Sequence, residues 1–263
     1  MTQSFPYWQK QTKPLYSDLL WNLPEQKSGK ISVIGGNAQN FSTEIRISEF
    51  ISKLARLENV TTVLPDSLKS TLPPLPNLVF TPSTDSGTFK KSAELGSALA
   101  SSDFSVFLGD FSKNAETSIA ISDVVKNLEI PFLLTRDTID LIASDAPNFI
   151  EKSNLFIVAP AIQIQKLFRS VFYPKVILLS MPLLQFIEAL HKFTLSYPLT
   201  ILTFHEGQII VAHDGKIVTT PIEITNYSPL SLWSGELAAK IAILNHFNPS
   251  DPLKATAAAI LWQ

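Results

Sequence analysis

The sequence predicts an α/β fold in which helices cover both faces of a mostly parallel central sheet, a three-layer α/β/α arrangement. Short apolar runs of strand length alternate with helical stretches of ~10–15 residues, which is typical of parallel sheets. Several of these runs end in small polar loops, where ligands bind in open α/β sheets. Late in the chain, Asp214-Gly215 separates two strand-like runs and predicts a β-hairpin.

The first strand-and-helix unit shows the pattern most clearly. Residues 31–34 form an apolar run and Gly35-Gly36-Asn37 follows it. A helix is expected to start at Ser42 or Thr43, because residues 47, 50, 51 and 54 are apolar and lie on one helical face. Two glycines after a strand are more typical of a tight turn than of a phosphate loop, and both interpretations stay open.

The remaining elements follow from the same two periodicities. Strands are predicted at residues 60–64, 78–80, 104–108, 131–135, 155–158, 199–204, 208–212 and 216–219. Helices are predicted at residues 91–100, 114–128, 139–143, 180–190, 237–244 and from 252 to the end. Residues 176–179 are apolar and ambiguous between strand and helix.

The domain organisation is predicted to be simple. Residues 1–24 are aromatic and punctuated by prolines, with a short helix at 18–21, and form an N-terminal arm. This arm either packs on the body or a partner subunit, or is a loosely ordered terminus. Residues 25–263 contain no internal repeat, linker or low-complexity tract, so we expect a single domain.

The composition excludes several classes of function. The formal net charge of -2 provides no basic face for nucleic acid, and the absence of cysteine excludes disulfides, thiolate catalysis and cysteine zinc sites. No run approaches the ~18 apolar residues of a membrane helix and no signal peptide is recognisable, so we expect a cytoplasmic protein. No metal site is predicted, because the four histidines lack metal-ligand spacing: His191, His205, His213 and His246.

One loop before a late helix has the residues of an anion site. Ser234 can cap the helix, Gly235 lets the backbone approach a ligand, and Glu236 places a carboxylate on the first turn. Free N–H groups at a helix start bind phosphate, and the carboxylate can act as a base. Serine and glutamate at these positions are also ordinary helix design, so both interpretations stay open.

Four loops should converge at the carboxyl edge of the sheet and carry the resemblance to a known family. They are Val33-Ile34-Gly35-Gly36-Asn37, Leu108-Gly109-Asp110, Leu134-Thr135-Arg136-Asp137 and the segment from Asn226 to Glu236. In order and spacing they resemble the ADP/ATP-dependent NAD(P)H-hydrate dehydratases, a branch of the ribokinase-like superfamily. The resemblance spans about residues 25–263.

The resemblance implies a ribokinase-like fold and a set of site residues. Glu236 would be the catalytic acid–base residue. The nucleotide and its phosphates would be bound by Ser234, Gly235, Trp233 and Asn226. The substrate crevice would be lined by Gly36, Asn37, Gly109, Asp110 and Asp137. The resemblance also implies ADP or ATP as cofactor and an NAD(P)H hydrate as substrate, and it leaves Mg²⁺ and a homo-oligomer open. The net charge and the lack of a membrane-length apolar run predict no nucleic-acid or membrane partner.

Three functional hypotheses remain, because two family motifs are replaced. Pro160-Ala161-Ile162-Gln163 stands at the position of His-Pro-Gly-Glu, and Thr203-Phe204 at that of Lys-Gly. The first hypothesis is an active, divergent dehydratase that eliminates water from hydrated nicotinamide nucleotides. The second is a catalytically degenerate relative (a pseudoenzyme) that keeps the fold for nucleotide binding or assembly. The third is a ribokinase-like small-molecule kinase in which Glu236 deprotonates a hydroxyl.

Overall fold

The computed structural model describes residues 5–13, 16–21 and 23–262. The strands are β1 Trp8–Lys10, β2 Lys30–Gly35, β3 Asn59–Pro65, β4 Leu78–Thr81, β5 Phe104–Gly109, β6 Phe132–Thr135, β7 Leu155–Val158, β8 Thr200–His205, β9 Gln208–His213 and β10 Lys216–Pro221. The helices are α1 Asp18–Trp21, α2 Ser42–Leu54, α3 Ala93–Ala100, α4 Ala115–Asn127, α5 Asp137–Ile142, α6 Ala161–Ser170, α7 Leu183–Ser196, α8 Glu236–Phe247 and α9 Pro252–Ala259. Residues 1–4, 14, 15, 22 and 263, from the predicted arm and last helix, lie outside the described residues.

The ten described strands form one sheet in the order β1-β10-β9-β8-β7-β6-β5-β2-β3-β4. All neighbours pair in parallel except β8 with β9 and β9 with β10. The predicted hairpin is confirmed, with Asp214 and Gly215 as its two loop residues at φ +46° and +68°. Positive φ at both positions is the requirement of a type I′ turn, which matches the twist of the flanking strands.

Helices cover both faces of the sheet, so the three-layer prediction is confirmed. One face packs against α3, α4, α5, α6 and α7, and the other against α2, α8 and α9. The central strands are buried on both sides, and every residue of β5 is buried. This explains why the strands appear as continuous apolar runs rather than as alternating patterns. No helix in the described ranges has the length and apolar character needed to cross a bilayer.

Three parts of the chain differ from the predicted elements. Helix α6 has no predicted counterpart, although Ile164, Leu167 and Phe168 bury one of its faces. Residues 176–179 form neither strand nor helix, and Ile177 alone of the four is buried. Within the arm, β1 pairs in parallel with β10. The sequence did not predict this strand, because three residues are too few to show the periodicity of a strand.

The start of α8 lies unusually close to the sheet because Gly235 precedes it. Gly235 has φ +83°, a left-handed conformation that favours glycine. A Cβ atom built there would lie 2.7 Å from Leu108 Cδ1 on β5 and 3.1 Å from Ile47 Cγ1 on α2. The glycine therefore allows the candidate site loop to rest directly on the sheet.

We expect Gly235→Ala to destabilise the protein by ~2 kcal/mol or more, because it adds a left-handed alanine and a clash in the core. Gly96→Ala is the matched control, since Gly96 lies inside α3 and a Cβ there has no atom within 4 Å. That variant should gain ~0.5–1 kcal/mol from helix propensity. Urea unfolding of both variants measures the difference. A free energy of unfolding of Gly235→Ala equal to that of the wild type would contradict the close packing of Gly235.

Candidate functional site

The carboxyl ends of β2, β5 and β6 meet in a polar cluster centred on Asp110. The Asp110 N–H donates to Asp137 Oδ1 at 2.8 Å, and Arg136 Nη2 contacts both carboxylate oxygens of Asp110 at 3.0 Å. Asn37 Nδ2 donates to the Asp110 carbonyl at 2.6 Å. The predicted convergence therefore holds for Asn37, Asp110 and Asp137, with Gly109 beside them. We call this set, with Arg136, the Asp110 cluster.

The backbone of this cluster is strained. Asp110 and Arg136 have φ +56° and +54°, in the left-handed region that non-glycine residues rarely adopt. Such conformations cost about 1–3 kcal/mol each and concentrate at functional sites. Gly109 has φ +111°, and a Cβ there would lie 2.1 Å from Asp137 Oδ1. Gly109 is therefore required by the carboxylate that packs against it.

A second acidic residue, Glu44, is buried beside the Asp110 cluster. Its side chain on the first turn of α2 has 0% exposure, and among the described residues neither carboxyl oxygen has a hydrogen-bond partner. Burial, and then the nearby Asp110 carboxylate, raise the pKa of Glu44 to about 8. Burial also raises the pKa of Asp137, which the N–H of Asp110 opposes. Glu44 is therefore a neutral carboxylic acid at pH 7.

A cavity of about 650 Å³ opens beside the start of α8. Three predicted nucleotide residues, Asn226, Ser234 and Glu236, line it together with Tyr227 and Lys240. Its remaining aromatic walls are Trp21 of α1 and Trp262. The volume lies in the usual range for small-molecule sites.

Two of the predicted nucleotide residues do not line this cavity. Gly235 packs between β5 and α2, as described above. The Trp233 side chain is 43% exposed and lies at the end of the 3₁₀ helix Pro229–Trp233. The cavity is therefore not plugged by the Trp233 indole. The five residues predicted for the substrate crevice also lie outside its lining.

Lys240 is the most unusual residue of the cavity wall. It is 9% exposed, and its Nζ donates to the Trp262 carbonyl and lies 5.4 Å from the centre of the Tyr227 ring. Burial lowers the pKa of Lys240, and the Glu236 carboxylate opposes that shift. Tyr227 Oη is also buried and has no hydrogen-bond partner among the described residues. Burial raises the pKa of Tyr227 above its usual range.

The carboxylate of Glu236 is held by an arginine from another helix. Arg46 Nη1, on α2, donates to Glu236 Oε1 at 2.8 Å, and Arg46 Nη2 donates to the Ser234 carbonyl. Both side chains are about half exposed, at 49% for Arg46 and 43% for Glu236. One carboxylate oxygen, Oε2, remains free of this ion pair.

The capping of α8 differs in detail from the prediction. The N-cap position is Gly235 rather than Ser234, because residues 229–233 form a 3₁₀ helix that runs into the site. Ser234 Oγ still accepts the Glu236 N–H at 3.2 Å and donates to the Ser231 carbonyl at 2.9 Å. The serine therefore caps the helix from one position earlier.

Several residues of the site are absent from the predicted site residues: Trp21, Glu44, Arg46, Arg136, Tyr227, Lys240 and Trp262. Lys240 stands four residues after Glu236, a spacing that places both on one side of a helix. This spacing was the one signal for Lys240 in the sequence, and it does not predict that the Lys240 side chain is buried. The Arg46–Glu236 contact joins residues 190 positions apart and has no local signal.

No three acidic or histidine side chains among residues 5–13, 16–21 and 23–262 form a group that could hold a metal ion.

Comparison with solved structures places this architecture among known folds. A ribokinase-like superfamily protein from Enterococcus faecalis V583 has a TM-score of 0.68 at 14% identity, covering 99% of this chain and 87% of that chain. The fold is ribokinase-like. An ADP/ATP-dependent NAD(P)H-hydrate dehydratase from Bacillus subtilis, co-crystallised with ATP/Mg²⁺ and soaked with CoA, has a TM-score of 0.58 at 11% identity, with 95% and 86% coverage. A phosphomethylpyrimidine kinase from Clostridium difficile 630 has a TM-score of 0.52 at 9% identity, with 88% and 97% coverage.

No protein-family model and no curated protein matches the chain. The structural similarities establish the ribokinase-like fold that the sequence resemblance implied. The function is therefore inferred from the geometry of the cavity and of the Asp110 cluster.

We expect Glu44→Gln to become progressively more stable than the wild type as the pH rises. The unfolded carboxyl loses its proton near pH 4.5, whereas the folded one keeps it to about pH 8. Its contribution to stability is therefore full below pH 4.5 and is lost as the pH rises to 8. The free energy of unfolding of Glu44→Gln relative to wild type should rise by on the order of 3 kcal/mol between pH 5 and pH 8.

Urea unfolding at pH 5, 6.5 and 8 measures this difference. Glu49→Gln is the control, because Glu49 is an exposed glutamate on the same helix. A stability difference for Glu44→Gln that stays constant with pH would show that Glu44 ionises normally in the folded protein.

Proposed function

We propose that this protein binds ADP or ATP in the cavity beside α8. The observation that carries the proposal is Lys240, a lysine of 9% exposure in the wall of a cavity that also includes Asn226, Ser234 and Glu236. A buried charge is costly unless it is paired. Among the described residues Lys240 Nζ donates to one partner, the Trp262 carbonyl, so two of its three N–H donors remain for a ligand.

The remaining walls of the cavity fit the other parts of a nucleotide. The rings of Tyr227, Trp262 and Trp21 provide apolar faces on which a base can stack. The buried Tyr227 hydroxyl has no partner among the described residues, and a polar ligand atom would satisfy it. A largely buried lysine, this hydroxyl and the aromatic walls favour an anionic aromatic ligand over an apolar or a cationic one.

The reaction that we propose is the ADP/ATP-dependent dehydration of NAD(P)H hydrates. Its support is the resemblance of the site loops to that family, together with a ribokinase-like fold that a hydrate dehydratase shares. Glu236 is the acid–base residue, because it lines the cavity, its Oε2 is free of the ion pair with Arg46, and no histidine is among the lining residues.

A second candidate is nucleotide binding without turnover, and three contacts favour it. Arg46 holds Oε1 of Glu236, which restrains the proposed base. In the Asp110 cluster, the predicted substrate residues bond to one another: Asp137 to the Asp110 N–H and Asn37 to the Asp110 carbonyl. Turnover is the measurement that separates the two candidates.

The first test is nucleotide binding. ADP or ATP at 100 times its Kd should raise the free energy of unfolding by ~2.7 kcal/mol, measured as a thermal shift. Lys240→Met should weaken binding by about 10- to 100-fold, because it removes a charged hydrogen bond. Lys240→Arg keeps the charge and should retain most of the affinity.

Lys126→Met is the control, because it removes one exposed lysine on α4, away from the cavity. The unfolding temperature of each variant without ligand shows that it folds. No shift of the wild type by either nucleotide, or unchanged affinity in Lys240→Met, would contradict the proposed site.

The second test is the reaction itself. Wild-type protein with ATP or ADP should restore the absorbance of reduced nicotinamide from NAD(P)H hydrate, and Glu236→Gln should lower that rate by about 100-fold or more. Nucleotide binding with no turnover in the wild type would establish the second candidate. Phosphate transfer from ATP to an alcohol such as pyridoxal would instead show a kinase.

A further inference from the structure

Arg46 joins α2 to the loop before α8 and lies just outside the lining of the cavity. Its two terminal nitrogens contact the Glu236 carboxylate and the Ser234 carbonyl, and both of those residues line the cavity. The guanidinium therefore holds both the backbone that enters α8 and the Glu236 carboxylate on its first turn.

The chemistry of the guanidinium makes this contact exchangeable. Arginine carries five N–H donors in a planar fork that suits carboxylates and phosphates equally. Arg46 and Glu236 are both about half exposed, and an ion pair with that exposure contributes little stability. A phosphate near the start of α8 presents the same kind of oxygen acceptors with a larger charge.

We infer that Arg46 is a positioning residue that exchanges partners when a nucleotide binds. Without nucleotide, Arg46 holds Glu236 and the Ser234 carbonyl. With nucleotide, Arg46 turns to a phosphate oxygen and releases the Glu236 carboxylate for acid–base chemistry. This inference rests on the proposed nucleotide site and assigns to Arg46 the coupling between nucleotide binding and the acid.

The exchange makes Glu236 and the phosphate competitors for one arginine. Removing the carboxylate should therefore strengthen nucleotide binding, and this gain should depend on the presence of Arg46. If Arg46 instead stays on Glu236, the carboxylate acts on the phosphate only through its charge. Its removal then changes affinity by the same factor with or without Arg46. The two cases differ in a double-mutant cycle.

The experiment is calorimetric titration of ADP into four proteins: wild type, Arg46→Met, Glu236→Gln and the double variant. We expect Arg46→Met to weaken binding about 10-fold and Glu236→Gln to tighten it about 5-fold. In the Arg46→Met background, Glu236→Gln should change the Kd less than 2-fold. Arg46→Lys, with the charge but without the fork, should fall between wild type and Arg46→Met.

The pair Lys91–Asp123 provides the matched control. It is an exposed ion pair with an N···O distance of 2.7 Å, outside the cavity lining. Lys91→Met, Asp123→Asn and their combination remove the same charges and should leave the ADP Kd unchanged. This cycle shows how much of any effect comes from net charge alone.

The outcomes separate the two proposals. No ADP binding by the wild type would overturn the nucleotide site, and with it this inference. Binding by the wild type with equal factors for Glu236→Gln in both backgrounds would overturn the exchange alone. A Glu236→Gln effect that needs Arg46 supports it, and this readout does not depend on turnover.

Discussion

The close packing of Gly235 against β5 and α2 is the constraint on which the candidate site depends. Because no side chain separates the loop from Leu108 and Ile47, α8 begins directly on the sheet. The same approach brings the first turn of α8 within reach of α2, so that Arg46 meets Glu236. It also places Ser234, before α8, and Lys240, on α8, in the wall of the cavity. One backbone position thus sets both the ion pair and the cavity wall.

The two polar regions beside this loop both keep buried polar groups without partners. In the Asp110 cluster, Asp110 pairs with Asp137 and Arg136, but Arg136 Nε and Nη1 are buried with no partner among the described residues. In the cavity, Lys240 keeps spare donors and the Tyr227 hydroxyl has no partner among the described residues. The cavity residues surround a volume of about 650 Å³, which is enough for a small-molecule ligand. The cavity is therefore the stronger candidate for binding.

The sequence predicted what local patterns encode. The strands of the sheet centre, α2 and the Asp214-Gly215 hairpin follow from periodicity and turn chemistry, and all are confirmed. The loops of the Asp110 cluster were predicted to meet because parallel strands share an edge.

The rest depends on contacts that no local pattern contains. The Arg46–Glu236 pair joins distant helices, and Lys240 is buried because α8 is enclosed on almost every side. Ser234 was predicted at the N-cap of α8 but lies one residue before it, after a 3₁₀ helix that the sequence did not predict.

The cavity wall combines residues from both ends of the described chain. Trp21 comes from α1, and Trp262 follows α9, which packs with α8. A ribosome releases residue 21 long before residue 262, and domains acquire their early elements first during synthesis. The wall can therefore close only after Trp262 has been synthesised. Ligand capture would then distinguish a polypeptide that includes Trp262 from a nascent one that lacks it.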